Sequence, residues 1–308
     1  MQKIYAVGET LLDIIFKGAE PQTAKPGGSA FNTSITLGRL GAPIHFISEM
    51  GTDKVGDLIL EFMKENGMGS KYISRYSLGQ TAIALAFLNK NNDAEYVFYK
   101  DYPAQRLEVE FPEFQKDDLF VFGSFYSLNP GIRPRVKELL EKAKGAGVTL
   151  IYDPNFRSSH VAEKEKLLPL IRENLAFSTL VRASDEDMRN IFGTKSPDEA
   201  WEKLSPYTEA LIYTASAQGV YLRTSSLQFH VEIERIEPLS TIGAGDTFNA
   251  GLLYGLWKKG YKREEIGTLS QAHWEGLIAT AIQFSREVCL SYDNYLPSGY
   301  AKHFKQNN

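Results

Sequence analysis

The sequence predicts an α/β fold: a mostly parallel sheet covered by helices, with a small β appendage beside it. Three observations carry this. Short β-rich runs alternate with segments of helical period, the signature of strands joined by helical crossovers. One crossover is explicit, because Val136, Leu139, Leu140 and Ala143 recur at i, i+3, i+4 and i+7 and mark a single apolar helix face. One early region breaks the alternation, its β-rich runs following one another with no helical period between them.

Taken in order, the strands expected in the main sheet are 4–8, 45–49, 119–123, 149–153, 180–182 and 210–214. Phe31 and Ile35 share a face of a helix that ends near Gly38 and Gly41. The helix carrying Val136 to Ala143 lies between the third and fourth strands and completes a βαβ unit. After Thr214 the runs 219–223 and 227–233 read as a hairpin joined by Thr224-Ser225-Ser226. Phe248, Leu252 and Leu256 recur every four residues, so a helix begins near Asp246. The appendage comprises 72–75, 81–89 and 95–100, with Asn89-Lys90-Asn91-Asn92-Asp93 as the turn between the last two. No internal repeat or low-complexity stretch divides the 308 residues. The expectation is one main body interrupted by the appendage.

Composition sets the broad class. At 43% hydrophobic and 23% charged residues, the chain can bury a full core and is not disordered by composition. Thirty-four Lys and Arg against 38 Asp and Glu leave a net charge of -4, which gives no pull toward a polyphosphate backbone. Nucleic acid is therefore not an expected partner. Cys289 is the single cysteine, so no intramolecular disulfide is available and a cytoplasmic home is expected. The N-terminus lacks the apolar run and small-residue site of a signal peptide. The longest apolar stretch, 82–88, is far short of the ~20 residues that span a membrane. The sequon Asn32-Thr33-Ser34 is accordingly read as accidental.

Two glycine-rich segments carry chemistry. In Ser240-Thr241-Ile242-Gly243-Ala244-Gly245-Asp246-Thr247 the glycines stand at a helix N-terminus, where free N–H groups and the helix dipole receive an anion. An aspartate in that turn can take the proton of an attacking hydroxyl, as phosphoryl transfer requires. The alternative is a plain N-cap on a tight turn. In Pro26-Gly27-Gly28-Ser29-Ala30-Phe31-Asn32 adjacent glycines let the backbone touch a small polar ligand, while Asn32 both donates and accepts. The alternative there is an ordinary loop-to-helix junction.

Together these segments resemble the paired signatures of the PfkB (ribokinase-like) family of carbohydrate kinases. Further matches follow in order: Gly8-Glu9-Thr10-Leu11-Leu12-Asp13 on the first strand, Gly51-Thr52-Asp53-Lys54-Val55-Gly56, Asp153-Pro154-Asn155-Phe156-Arg157 and Thr214-Ala215-Ser216-Ala217-Gln218-Gly219. The resemblance implies a three-layer α/β/α kinase domain over 1–308, with a β lid formed by about 10–25 and 72–108. It implies Asp246 as base, Gly243, Ala244 and Gly245 as anion hole, and Arg157 as the basic residue near the phosphates or the acceptor. Asp13, Gly27, Gly28 and Asn32 correspond to positions that bind sugar hydroxyls, Asp13 at a strand's C-terminal end. Asn155 belongs to the same acceptor side, and Phe98, Tyr99 and Lys100 lie on the lid, Tyr99 against the sugar. Thr214, Ser216 and Gly219 resemble the nucleotide turn. Ser184 and Asp187 occupy the N-x-x-E position, with Asp187 near Mg²⁺. ATP, Mg²⁺ and a sugar are the implied ligands, and the lid implies a homodimer contact in some members.

Three departures stand out. Ser184 replaces Asn, a variation associated with fructokinase-like members, and Asp187 replaces Glu, a shorter acid that would hold Mg²⁺ differently or only through water. Ser216 replaces a glycine of the nucleotide turn. Ser240 stands where many members carry an Asp near an activating monovalent cation, and 286–293 lacks the usual Gly-Ala, which counts against K⁺. Fructose is the acceptor the two sugar-side segments most resemble, and 2-keto-3-deoxygluconate kinases and ribokinases share much of both. The same departures also motivate a non-catalytic sugar- or nucleotide-binding regulator, against which Asp246 is intact. A dinucleotide oxidoreductase fails for want of G-x-G-x-x-G after the first strand, and the five histidines are too scattered for a metal hydrolase.

Overall fold

Along the main strands apolar residues stand in successive positions, the pattern of strands covered on both faces. The computed structural model describes residues 2–88 and 94–307, so the turn expected at Asn89-Lys90-Asn91-Asn92-Asp93 lies outside the described residues. In chain order, β1 (Ile4–Val7), β2 (Leu11–Lys17) and β3 (Glu20–Gly27) lead to α1 (Ser29–Arg39), then β4 (Ile44–Gly51), α2 (Lys54–Glu65) and β5 (Ile73–Tyr76). Next come β6 (Gln80–Leu88), β7 (Ala94–Asp101), β8 (Leu119–Gly123), α3 (Arg133–Gly145), β9 (Thr149–Asp153), α4 (Lys164–Phe177) and β10 (Leu180–Ser184). The chain continues through α5 (Asp185–Phe192), α6 (Pro197–Leu204), β11 (Ala210–Thr214), β12 (Val220–Thr224) and β13 (Gln228–Val231). It closes with α7 (Ala244–Lys259), α8 (Gln271–Cys289) and α9 (Ser298–Asn307).

Among the described residues nine strands form the main sheet, in the order β13-β12-β11-β10-β9-β8-β1-β4-β5. All its pairs are parallel except β11–β12 and β12–β13, of which β12–β13 is the expected hairpin. Side-chain alternation splits its apolar residues between two cores. Ile4, Ala6, Leu119, Val121 and Ile212 pack with residues of α1, α7 and α8, whereas Tyr5, Val7, Phe120, Phe122 and Leu211 pack with α3, α4 and α5. The three layers follow directly. The chain leaves β1 for β4 and β5 on one side and returns to β8 on the other, so the strand order reverses beside β1. In open α/β sheets that reversal, at the carboxyl ends of the strands, is where ligands bind.

The second sheet has the order β3-β2-β6-β7. Two expectations are corrected here. The motif ending in Asp13 is not one strand: the chain breaks after Val7, and Asp13 lies on β2 of the small sheet rather than at the end of β1. The run 72–75 was expected in the appendage. Instead β5 pairs in parallel with β4 as the edge of the main sheet, with Ser48 opposite Ile73 and Gly51 opposite Tyr76. Its four residues carry no local mark that separates a parallel edge strand from an appendage strand; the α2 crossover decides it.

The small sheet has two unlike faces. Leu11, Asp13, Ala82, Ala84, Ala86, Tyr96 and Phe98 share the face toward the main body, while Ile14, Phe16, Phe87, Val97 and Tyr99 share the outer one. Its return to the main sheet is pinned by a buried ion pair. Arg106, just beyond β7, donates from Nε to Glu49 Oε1 on β4 at 2.6 Å, and the Leu107 N–H donates to Oε2 at 2.8 Å. The guanidinium also lies 3.6 Å from the Tyr102 ring centroid. The same contacts hold Leu107 at φ 51, a conformation that L-residues adopt at a cost.

Candidate active site

α7 begins at the left-handed Gly243, φ 78, with no side-chain cap on its first turn. A Cβ at Gly243 would stand 2.1 Å from the Asn294 carbonyl oxygen, so glycine alone fits this turn. Asp246 is the third helical residue, and the N-cap alternative fails because its carboxylate points away from its own helix. Ser29 Oγ donates to Oδ1 at 2.7 Å and Asn32 Nδ2 donates to Oδ2 at 2.8 Å. Thr33 Oγ1 donates to the Asp246 carbonyl at 2.9 Å, fixing α1 against α7. Burial raises the Asp246 pKa, and Ser29, Asn32 and the charges of Arg157 and Arg182 oppose that rise. The two glycine-rich segments, more than 200 residues apart in sequence, thus meet at one carboxylate.

Asp13 faces the same cleft from β2. A Cβ at Gly27 would fall 2.1 Å from Asp13 Oδ2, and one at Gly28 2.2 Å from the Glu9 carbonyl oxygen, which explains the adjacent glycines by close approach. Burial, then Asp246, then Glu9 push the Asp13 pKa up to about 7. Tyr96 is the aromatic residue that the sequence reading missed: it feels Asp13, Arg157 and Asp246. Tyr99, expected against the sugar, is 59% exposed and lies on the outer face of β7. The reason is the two-residue period of a strand, in which a shift by odd steps changes the face.

On the other side of α7, Arg182 of β10 is buried. Its Nη1 lies 3.3 Å from Asp153 Oδ2 and its Nη2 donates to Thr214 Oγ1 at 3.0 Å. A Cβ on Gly245 would stand 2.8 Å from Nη1, so the guanidinium packs against the first turn of α7. Asn249 Nδ2 donates to Asp153 Oδ2 at 2.5 Å. Sequence reasoning named none of Arg182, Asp153 and Asn249 as site residues. The available signal was a charged residue inside an apolar strand run, since buried Arg is rarely unpaired. Gly219 at φ 94 and Ser216 at φ 44 form the turn after β11, so Ser216 adopts the left-handed conformation natural to glycine. Asn155, φ 40, directs its N–H to Asp153 Oδ1 at 3.1 Å, and Arg157 is exposed beside it.

Asp187 departs from expectation. Its Oδ1 accepts the Phe156 N–H at 2.6 Å, and its Oδ2 accepts the N–H and hydroxyl of Ser184 at 2.7 and 2.6 Å. Ser184 in turn accepts from the Asp187 N–H, which completes a capping box on α5. The carboxylate is buried and occupied in tying the 154–157 loop to α5, so it does not fit the part of a metal ligand. Among the described residues no three His, Cys, Asp or Glu gather as a metal site. The same residues include no helix long and apolar enough to cross a membrane.

The pfkB family carbohydrate kinase pattern matches residues 1–273. A fructokinase of Rhizobium leguminosarum bv. trifolii is 30% identical over 265 residues, covering 82% of this chain and 79% of that protein. The chain belongs to the pfkB family of carbohydrate kinases. Two solved structures show that this pfkB kinase has the ribokinase-like fold from end to end. A double mutant of the Vibrio cholerae O395 fructokinase, bound to fructose, ADP and potassium ion, superposes with a TM-score of 0.85 at 20% identity and covers 99% and 98% of the two chains. The Salmonella enterica aminoimidazole riboside kinase, bound to aminoimidazole riboside and an ATP analog, gives 0.82 at 21% identity over 99% and 100%. The protein is an ATP-dependent sugar kinase.

Proposed function

We propose that this pfkB kinase transfers the γ-phosphoryl group of ATP to a primary hydroxyl of fructose, with Asp246 as the base. The observation that carries the reading is the Asp246 carboxylate, held by Ser29 and Asn32 at the foot of an uncapped helix N-terminus. In this scheme Asp246 takes the proton of the sugar hydroxyl, and the sugar oxygen attacks the γ-phosphorus. The bond to the ADP oxygen breaks while N–H groups of Gly243, Ala244 and Gly245 receive the developing charge. Arg157 is assigned to the transferring group, and Thr214, Ser216 and Gly219 to the nucleotide. Asp13, Asn32 and the backbone at Gly27 and Gly28 are assigned to sugar hydroxyls. Magnesium is taken to arrive with the nucleotide phosphates, as that ion commonly does.

The fructokinase relative and the fructose-bound neighbour favour fructose over ribose and 2-keto-3-deoxygluconate. ADP release from Mg·ATP across those acceptors, with and without K⁺, tests the assignment. Highest kcat/KM for fructose supports it, and a clear preference for another acceptor removes it.

The sugar side has a pH signature. Asp13 binds hydroxyls through its charged form, so kcat/KM for the sugar is expected to fall as pH drops below about 7. Asp13→Asn should abolish that limb while weakening sugar binding. The stability sign is opposite to that of a paired aspartate: between pH 3.8 and about 7 the unfolded chain releases the proton first, so this group costs stability increasingly as pH rises through that window. Asp13→Asn is accordingly expected to raise the melting temperature at pH 8. A pH profile unchanged by the substitution removes Asp13 from this role.

The small sheet is proposed as a lid over the cleft. Its outer apolar face, where Phe16 and Phe87 stack at 5.2 Å, supports a homodimer through the lid. A monomeric mass in sedimentation at micromolar concentration argues against that pairing. The single cysteine supports a reducing, cytoplasmic compartment.

A further inference from the structure

Two lid cations beside the cleft, Lys100 and Lys25, are each matched by a carboxylate. Lys100 Nζ lies 2.8 Å from Oε1 and 2.9 Å from Oε2 of Glu9, and the Tyr102 hydroxyl donates to the same Oε1. Lys25, opposite Asp13 in the β2–β3 register, lies 2.6 Å from Asp293. On the body side Arg182 pairs with Asp153, and Arg157 stands toward Asp246. Asp13, by contrast, has no hydrogen-bond partner among the described residues. Two carboxylates, Asp13 and Asp246, therefore face the acceptor space, with Arg157 as the cation left on the phosphoryl side.

Resting on the kinase site proposed above, we infer that the Glu9–Lys100 pair sets the charge selectivity of the acceptor pocket. With Lys100 neutralised, the pocket admits a neutral polyol and repels an acceptor that carries a carboxylate or phosphate toward the lid. Glu9 reaches this position because its own carbonyl packs on Gly28, directly beside the sugar-side glycines. Lys100 is held over the cleft by the Phe98 ring, 4.9 Å from the centroid, and its charge is felt by His160 across the gap. His160 is itself stacked on Phe125 at 4.3 Å, so what the Lys100 charge meets there is a ring pair without a formal charge when the imidazole is neutral. Burial first, then Lys100, lower the His160 pKa and favour that neutral form, whereas Glu163 opposes them. The discrimination is thus built by repulsion as much as by attraction.

The test uses the full chain and one matched acceptor pair, neutral fructose and anionic 2-keto-3-deoxygluconate. The wild type is expected to favour the neutral acceptor by about 100-fold in kcat/KM. Glu9→Gln retains an oxygen for Tyr102 but leaves Lys100 uncompensated, and should narrow that ratio by about tenfold. Lys100→Met leaves Glu9 uncompensated and should widen it. Movement in opposite directions is the signature, because loss of a purely structural clasp moves both variants the same way. A thermal melt of each variant confirms folding, and either variant alone carries the test through its own direction of change. A wild-type preference for the anionic acceptor, or a ratio that is unchanged or moves the wrong way in a folded variant, overturns the inference. Preference for a different neutral sugar, with the two shifts intact, overturns the fructose assignment and leaves this inference standing.

Discussion

Asp246→Asn is expected to lower turnover by at least ~10²-fold while leaving sugar affinity within a few-fold of the parent. The substitution is nearly isosteric, so Ser29 still finds an oxygen to donate to. Asn32 Nδ2 then meets an amide nitrogen or forces the new side chain to flip, a local cost small beside loss of the proton acceptor. Burial raises the Asp246 pKa toward the range of a useful base, whereas an amide has no basicity to tune. Single-turnover phosphoryl transfer with saturating Mg·ATP separates the chemical step from product release. Calorimetric titration of sugar into the variant reports binding independently. Turnover within tenfold of the wild type removes Asp246 as base, and loss of sugar binding in a folded variant reassigns it to the acceptor.

Glu49→Ala should cost about 3–5 kcal/mol of stability, because it leaves the Arg106 guanidinium buried without its counter-charge. The side chains of Arg106 and Glu49 are 6% and 2% exposed, so water does not replace the lost partner. The change also strands the Leu107 N–H, which donates to Glu49 at 2.8 Å and helps hold Leu107 in its left-handed conformation. Urea unfolding measures the effect as a lowered midpoint, provided the slope is preserved. The double variant Glu49→Leu, Arg106→Met removes both charges and should recover part of the loss, since breaking a buried pair is worse than replacing it. A loss below about 1 kcal/mol for Glu49→Ala would mean that the pair is solvated or rearranges. Because this pair anchors the chain where it leaves β7, the single variant should also raise the sugar KM.

How much was legible in sequence depends on the range over which each feature is decided. The alternating β-rich and helical segments, both glycine-rich segments and the position of Asp246 at a helix start are local properties of residue type and period, and the structure bears them out. Family membership was equally legible, since ordered motifs persist where overall identity is low. Other features depended on register and on contacts between distant segments. Tyr96 rather than Tyr99 faces the cleft because one strand pairing selects the face, and the Ala86–Tyr96 register is not encoded in either segment alone. Asp13 moved from β1 to the small sheet because the chain breaks after Val7, where β1 ends beside β4 and β8. Asp187 turned inward because Ser184 and the Phe156 N–H together offered its carboxylate three donors, a geometry fixed by the packing of the 154–157 loop on α5. Arg182 became part of the site because β9, β10 and β11 set Asp153, Arg182 and Thr214 side by side under α7. Sequence by itself determined the chemistry that the chain carries and the class of fold that holds it. Tertiary structure decided which side chains share the cleft, because a charge acts on its neighbours in space through distance and burial, whatever their separation along the chain.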